Sequence, residues 1–407
     1  MRSVEEHRRV VTDMIRANPP VAVALAKAQG LVLSDDVVAG LALPVFDNSA
    51  MDGYAVRAED VSGATLEHPV VLPVAEDIPA GRTDELALQA GTAHRIMTGA
   101  PVPAGATAIV PVEDTDGGLH SVTIRQPRRP GDHIRRAGED VTPGTTVLRK
   151  GHVVTPAMLG LAAALGMAEL TVVPRQRVLV LSTGSELVPP GNPLRPGQIY
   201  ESNSIMLAGA VRDAGAQVVA VATAQDDVVH FGSLLDRYAA PEHRLDLIIT
   251  SGGVSAGAYE VVKDAFGPHG VQGGEGVEFV KVAMQPGMPQ GIGRVSGTTI
   301  VTLPGNPVSA LVSFEVFIRP ALRKAMGLLD PERPRRTAVL AESLTSPRGK
   351  RQFRRAVLDP ETASVTSYGP PASHHLRWLA SANALLEIPE DVVEVSAGTE
   401  LQVWDLS

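Results

Sequence analysis

The sequence predicts a multidomain α/β plus β protein. A central doubly wound, mostly parallel α/β domain is joined by a β-rich domain, an N-terminal helical linker domain and a small C-terminal β domain. Three observations predict it. Between Gln176 and Leu322 short apolar strands alternate with helical segments across short loops, the pattern of a mostly parallel sheet. The flanking stretches carry short Val/Ile-rich pieces broken by Gly, Pro and Asp. At 407 residues the chain is also too long for one core, so about two to four domains are expected.

Residues 3–29 carry helical spacing, with Val10, Val11, Met14 and Ile15 on one face until Asn18-Pro19-Pro20 interrupts it. A second helix is expected over Val21–Ala28, ending at Gly30. The pieces VVLPVA (70–75), HRIMTG (94–99) and TAIVPV (107–112) read as strands of the β-rich domain. Thr155 as N-cap and Pro156 at the first helical position open a buried helix whose apolar run reaches Ala168. The α/β domain then reads strand 177–183, helix 202–215, strand 217–224, helix from Asp227, strand 245–251, helix from Tyr259, strands 277–284 and 299–303, and helix 306–318. After Arg333-Pro334-Arg335-Arg336 the β texture returns. The expected domains are 1–45 with 141–174 (helical linker), 46–140 (β-rich), 175–328 (α/β) and 329–407 (C-terminal β).

Composition excludes several functions. A net charge of −9 argues against a nucleic-acid binder, which needs clustered Lys and Arg to neutralise phosphates. Cysteine is absent, which removes disulfides, thiolate metal sites and Cys nucleophiles, and fits the cytoplasm. The N-terminal MRSVEEHRRVV lacks the apolar core of a signal peptide, and the longest apolar run, 157–168, is too short to span a bilayer, so no membrane association is expected.

In a doubly wound sheet, ligands bind in the crevice at the carboxyl ends of the strands. The loops expected there are STGSE (182–186), QDD (225–227), TSGGVSAG (250–257), QPGMPQG (285–291) and LPGNPVS (303–309). Small residues leave backbone N–H groups free to meet a polyanion, and Glu186, Asp226 and Glu260 bring carboxylates beside them. A single GG or PG pair is an ordinary turn, but five such loops at one end of one sheet, three of them with a GG or PG pair, outline a site. No GxxxxGK[ST] or GxGxxG is present; the GGVSAG loop with nearby carboxylates suits a nucleotide or pterin phosphate plus Mg²⁺. Asp47 and Asp52 in FDNSAMDGYAVR (46–57) are either local caps or site carboxylates. RQPRRPGDHIRRAGED (125–140) is either a solvated charged loop or an arginine cluster for phosphate with a carboxylate beside it. The pair His374-His375 reads as surface.

Together FDNSAMDGYAVR, RIMTGAPVPAGA (95–106), RRAGED (135–140), STGSELV (182–188), QIYESNS (198–204), TSGGVSAG and LPGNPVSA resemble the molybdopterin molybdenumtransferase family, that of MoeA and the gephyrin E domain. The resemblance implies a Mg²⁺-dependent homodimer that places molybdenum from molybdate on adenylylated molybdopterin and releases AMP. Its implied protein partners are a molybdopterin adenylyltransferase and molybdoenzymes. The family's functional positions fall on Asp52, Thr98, Asp140, Glu186, Asp226 and Lys281, with Glu260 in place of an Asp; Glu186, Asp226 and Glu260 would hold the metal. Ligand contacts are implied for Ser182, Thr183, Gly184, Ser251, Gly252, Gly253 and Ser255. Pro304, Gly305, Asn306 and Pro307 complete the implied set. Residues 175–320 alone also resemble the molybdopterin adenylyltransferases, which lack the other segments; a weakly active or non-catalytic molybdopterin-binding paralogue is the further alternative. Where the family has lysines in KxxxKPGKP, this chain reads KVAMQPGMP, leaving Lys281 but placing Gln285 and Met288 at the next two. Gln285→Lys is expected to tighten molybdate use unless an arginine already serves there.

Overall fold

The computed structural model describes residues 1–238, 240, 243–253, 261–266 and 276–407. Strands β1 (Arg177–Thr183), β2 (Gln217–Ala224), β3 (Leu247–Ser251), β4 (Glu278–Lys281), β5 (Pro289–Val295) and β6 (Thr298–Leu303) form one sheet. Their order is β2-β1-β3-β6-β5-β4. The first four strands in that order are parallel, and β5 is antiparallel to both neighbours. Along β1, Val178 and Val180 enter one core while Leu179 and Leu181 enter the other, with Phe231, Leu235 and Phe266. Both faces are buried, so the strand reads as an unbroken apolar run.

Strand β5 overlaps the expected loop at 285–291. Its glycines disguise it, and packing requires them: a Cβ on Gly291 would lie 2.1 Å from Thr302 Oγ1, and one on Gly293 2.6 Å from Gly276 O. Helix 306–318 also runs on, as Pro307–Ser313, a π-helical turn Phe314–Ile318 and then Arg319–Ala325. The wide turn ends two residues before Pro320, which has no amide proton to donate.

Helix α1 (Val4–Met14) opens with a reciprocal cap between Ser3 and Glu6. Val4 and Val11, with Ile15 just beyond the helix, pack among Phe314, Phe317 and Leu322, so this segment joins the α/β core rather than the linker unit. The expected second helix is a correction: Val21–Ala24 is a strand paired with Glu169–Val173, and only Leu25–Ala28 is helical. Alternating Val21 and Val23 suit a pleated ribbon, and an available sheet partner overrides weak helical spacing. The Thr155-capped helix spans Pro156–Ala164.

The β-rich unit is a five-stranded sheet in the spatial order 108–111, 53–56, 93–96, 70–78 and 121–124. In the C-terminal sheet Arg351–Asp359 pairs with Ala384–Ile388 and, from the α/β domain, with Met284–Gln285. Phe353, Leu385 and Trp404 extend the α/β core across this seam. Buried Glu315 accepts two bonds from Arg333 at 2.9 and 3.2 Å, and Arg333 and Arg319 share Asp213 at 2.7 and 2.6 Å.

His7 makes this core acid-sensitive. It is fully buried, edge-on to Phe317 at 4.7 Å, and burial, aided by nearby Arg2, pushes its pKa down to about 4. Unfolded chains take up that proton at about pH 6.5, so stability is complete above that pH and is lost as acidity approaches pH 4. The loss is on the order of 3 kcal/mol. His7→Leu is expected to flatten the fall in melting temperature between these pH values; an unchanged slope would assign the acid sensitivity elsewhere.

Candidate functional site

Consecutive strands β1 and β2 lie side by side, and the chain then crosses back so that β3 flanks β1 on the other edge. Loops part at that reversal, and a cleft of about 660 Å³ opens there. Thr183, Gly184 and Glu186 line it from the loop after β1, Asp226 from that after β2, and Ser251, Gly252 and Gly253 from that after β3. Gly305, Asn306 and Pro307 follow β6 into the same cleft. The expected loop at 285–291 departs from this picture: Gln285 and Pro286 line a separate crevice against the C-terminal domain, because Met284–Gln285 is captured by that domain's sheet.

Two close approaches build the floor. A Cβ on Gly252 would fall 2.7 Å from Thr183 Oγ1 and 2.8 Å from Thr183 O, and Gly252 and Gly253 hold φ of +98° and +68°. Only glycine combines that backbone with that contact. Across the rim, Ser185 N–H donates to Asp226 Oδ2 at 2.9 Å and Asp226 N–H to Ser185 Oγ at 3.0 Å, fixing one loop against the other.

Two residues the sequence reading passed over complete the wall. Glu201 is 4% exposed and accepts from Ser182 Oγ (2.7 Å), Ser204 N (2.7 Å) and Ser204 Oγ (2.5 Å). Asn203, at the start of helix α2 (Asn203–Asp213), donates to Ser251 Oγ at 2.9 Å and to Gly305 O at 2.6 Å, bridging the loops after β3 and β6. Ser251 Oγ reaches Pro304 O at 3.4 Å. The signal for both lay in QIYESNS, where polar residues crowd a helix start. Asn306 occupies the N-cap of α3 (Pro307–Ser313) but makes no side-chain capping bond.

Glu186 and Asp226 are both exposed on the rim. Among the described residues no three His, Asp or Glu form a closed metal cage. Two rim carboxylates nevertheless suit Mg²⁺, which keeps several waters and draws its other ligands from phosphate. Glu260 and Ser255 lie outside the described residues.

The other expected residues lie elsewhere. Asp52 accepts from Thr98 N at 2.6 Å and Thr98 Oγ1 at 2.7 Å; the amide, then the hydroxyl, hold its carboxyl below the usual range. Asp47 accepts from Ala137 N at 2.8 Å and Arg136 Nη1 at 2.5 Å, so it caps the RRAGED loop. Asp140 is exposed on that loop, its N–H donating to Leu43 O at 3.0 Å. None of Asp52, Thr98 and Asp140 lines the cleft, and Lys281 stands exposed at the end of β4, away from it.

The crevice beside Gln285 is lined by two arginines. Gln352 Nε2 donates to Gln285 Oε1 at 2.8 Å, and Arg354 Nε donates to Gln352 Oε1 at 2.7 Å. Arg354 and Arg355 both line this crevice, and burial lowers the pKa of each. Neither forms an ion pair among the described residues; their donors go to Thr345 O, Ser367 Oγ, His375 O and Pro370 O. Arg351 is instead committed to Glu5, Glu387 and Glu390.

Fold and cleft define a multidomain α/β protein whose ligand crevice sits at a sheet reversal and suits an anion with a hard cation. Known proteins identify the class further. Residues 2–166 match the MoeA N-terminal region (domain I and II), 179–324 a probable molybdopterin binding domain, and 337–406 the MoeA C-terminal region (domain IV). Molybdopterin molybdenumtransferase 2 of Mycobacterium tuberculosis is 77% identical over 100% of both chains. Molybdopterin molybdenumtransferase 1 of that species is 37% identical over 99% of this chain and 98% of its own. The crystal structure of a molybdopterin biosynthesis MoeA protein from Pyrococcus horikoshii superposes with a TM-score of 0.79 at 29% identity, covering 100% of this chain and 99% of that one. The chain belongs to the molybdopterin molybdenumtransferase family.

Proposed function

We propose that the protein inserts molybdenum from molybdate into adenylylated molybdopterin, with release of AMP, in molybdenum cofactor biosynthesis. The observation that carries this is the cleft itself: small-residue phosphate loops at the sheet reversal, rimmed by Glu186 and Asp226. Carboxylates beside a polyanion make sense with a cation between them. Bound Mg²⁺ would neutralise the pyrophosphate and polarise the phosphoanhydride. The chain's own part is to hold the ligand. Backbone N–H groups at Gly253 and Gly305 meet the phosphates while that of Gly252 is tied to Leu303 O, Glu201 and Asn203 fix the loops, and Ser182 and Thr183 close the floor.

For molybdate, Arg354 is the cation we assign in place of the family's lysines, two hydrogen bonds from Gln285 and free of carboxylate partners among the described residues. The reaction is tested by incubating the protein with adenylylated molybdopterin, molybdate and Mg²⁺ while following AMP. Release without ATP consumption supports the transferase; ATP consumption with unadenylylated molybdopterin would support an adenylyltransferase, and neither would support a binding paralogue.

A homodimer and a cytoplasmic location are part of this reading. No helix among the described residues is long and apolar enough to cross a membrane. Asp52 and Thr98 sit on the β-rich unit outside the cleft of their own chain, which favours their completing a partner subunit's site. Mixed dimers of Asp52→Ala and Asp226→Ala are then expected to recover activity that neither variant shows alone. Sedimentation as a 42.7 kDa species at micromolar concentration would remove the shared site.

A further inference from the structure

The described side chains lining the cleft include three acids, Glu186, Glu201 and Asp226, and no lysine or arginine. One of them can carry positive charge: His374. It arrives from the C-terminal domain, and local sequence gave no reason to bring it here. Its expected surface location is thus corrected in one respect: His374 is exposed, but into the cleft. The segment bearing it is pinned on both sides. Val308 N–H, in the first turn of α3, donates to Ser373 O at 3.1 Å. Arg355 donates to His375 O at 2.9 Å and to Pro370 O. The His375 ring stands edge-on to that of His374, with centroids 4.3 Å apart.

We propose that His374 contacts the phosphate portion of the bound pterin nucleotide as an imidazolium, making ligand binding tighten on acidification. This rests on the pterin-nucleotide reading of the cleft. Histidine is the side chain whose charge ordinarily changes between about pH 5 and 8. The titratable and charged groups that share the cleft with it or hold its segment are Glu186 and Asp226 on the rim, Glu201 and Tyr200 ahead of α2, His375 beside it and Arg355 behind the segment. A phosphate arriving with its cation gives a protonated ring a charge-assisted partner.

The test uses AMP as probe at constant Mg²⁺, by calorimetry at pH 6 and pH 8, on the wild type, His374→Ala and His374→Lys. Reading each variant as a ratio to the wild type at the same pH cancels the probe's own phosphate ionisation near pH 6. His374→Ala is expected to weaken AMP about 10-fold at pH 6 and less than about 2-fold at pH 8, the size of a charge-assisted contact present only when the ring is protonated. His374→Lys, charged at both pH values, is expected to bind more tightly than the wild type at pH 8. An His374→Ala ratio equal at the two pH values overturns the proposal while leaving the pterin-nucleotide reading intact. Failure of the wild type to bind AMP at either pH overturns both. Thermal melts of both variants separate lost binding from lost folding.

Discussion

Chelating divalent cations is expected to stop AMP release, and Asp226→Ala to lower it by more than roughly tenfold with little change in melting temperature. Asp226 is exposed, and the bond its carboxylate makes is to the exposed Ser185 amide, so truncation should cost no more than about 1 kcal/mol of stability. Turnover differs because the carboxylate sits on the rim where the pyrophosphate must be neutralised. Uncompensated charges about 4 Å apart repel by about 4 kcal/mol at an effective dielectric near 20. Asp226→Asn separates the two roles, since an amide oxygen can still accept from Ser185 but carries no charge. Loss of turnover in both variants assigns the effect to charge, whereas full turnover after EDTA treatment would sink the bridging-metal reading.

Arg354→Gln is expected to raise the molybdate concentration needed for half-saturation by roughly 10- to 100-fold while leaving nucleotide binding unchanged. A charge-assisted contact to an oxyanion is worth about 1.5–3 kcal/mol, and Arg354 has no carboxylate partner among the described residues to share it with. The same geometry changes the expectation for Gln285→Lys. An ammonium there would join a crevice that already holds two guanidinium groups, so its gain should be small. If Arg354→Gln leaves molybdate dependence unaltered and Gln285→Lys improves it strongly, position 285 carries the role instead.

How much was legible in the sequence depended on whether the signal was local. Strands β1 and β2 were readable to the residue: β1 because burial on both faces writes an unbroken apolar run, and β2, a half-exposed edge strand, because its Val-rich run is bounded by turn residues. Thr155-Pro156 announced a helix start because N-cap chemistry is itself local. The small-residue loops after β1, β3 and β6 announced a cleft, and in the β3 loop the backbone approach to Thr183 tolerates no Cβ.

Pairing and distance were not local. Val21–Ala24 is a strand because Glu169–Val173 lies beside it, 145 or more residues later in the chain, and β5 is a strand because Thr302 and Gly276 crowd its glycines. Helix α1 belongs to the α/β core through Phe317, and Arg354 stands by Gln285 because Met284–Gln285 pairs with Arg351–Gln352. His374 enters the cleft through a bond from Val308 to Ser373. The sequence by itself determined the strands, caps and phosphate loops, since these are set by residues within a few positions of one another. Only the tertiary structure decided which charges meet which ligand, because a charge acts over ångströms of space and the chain order does not encode that distance.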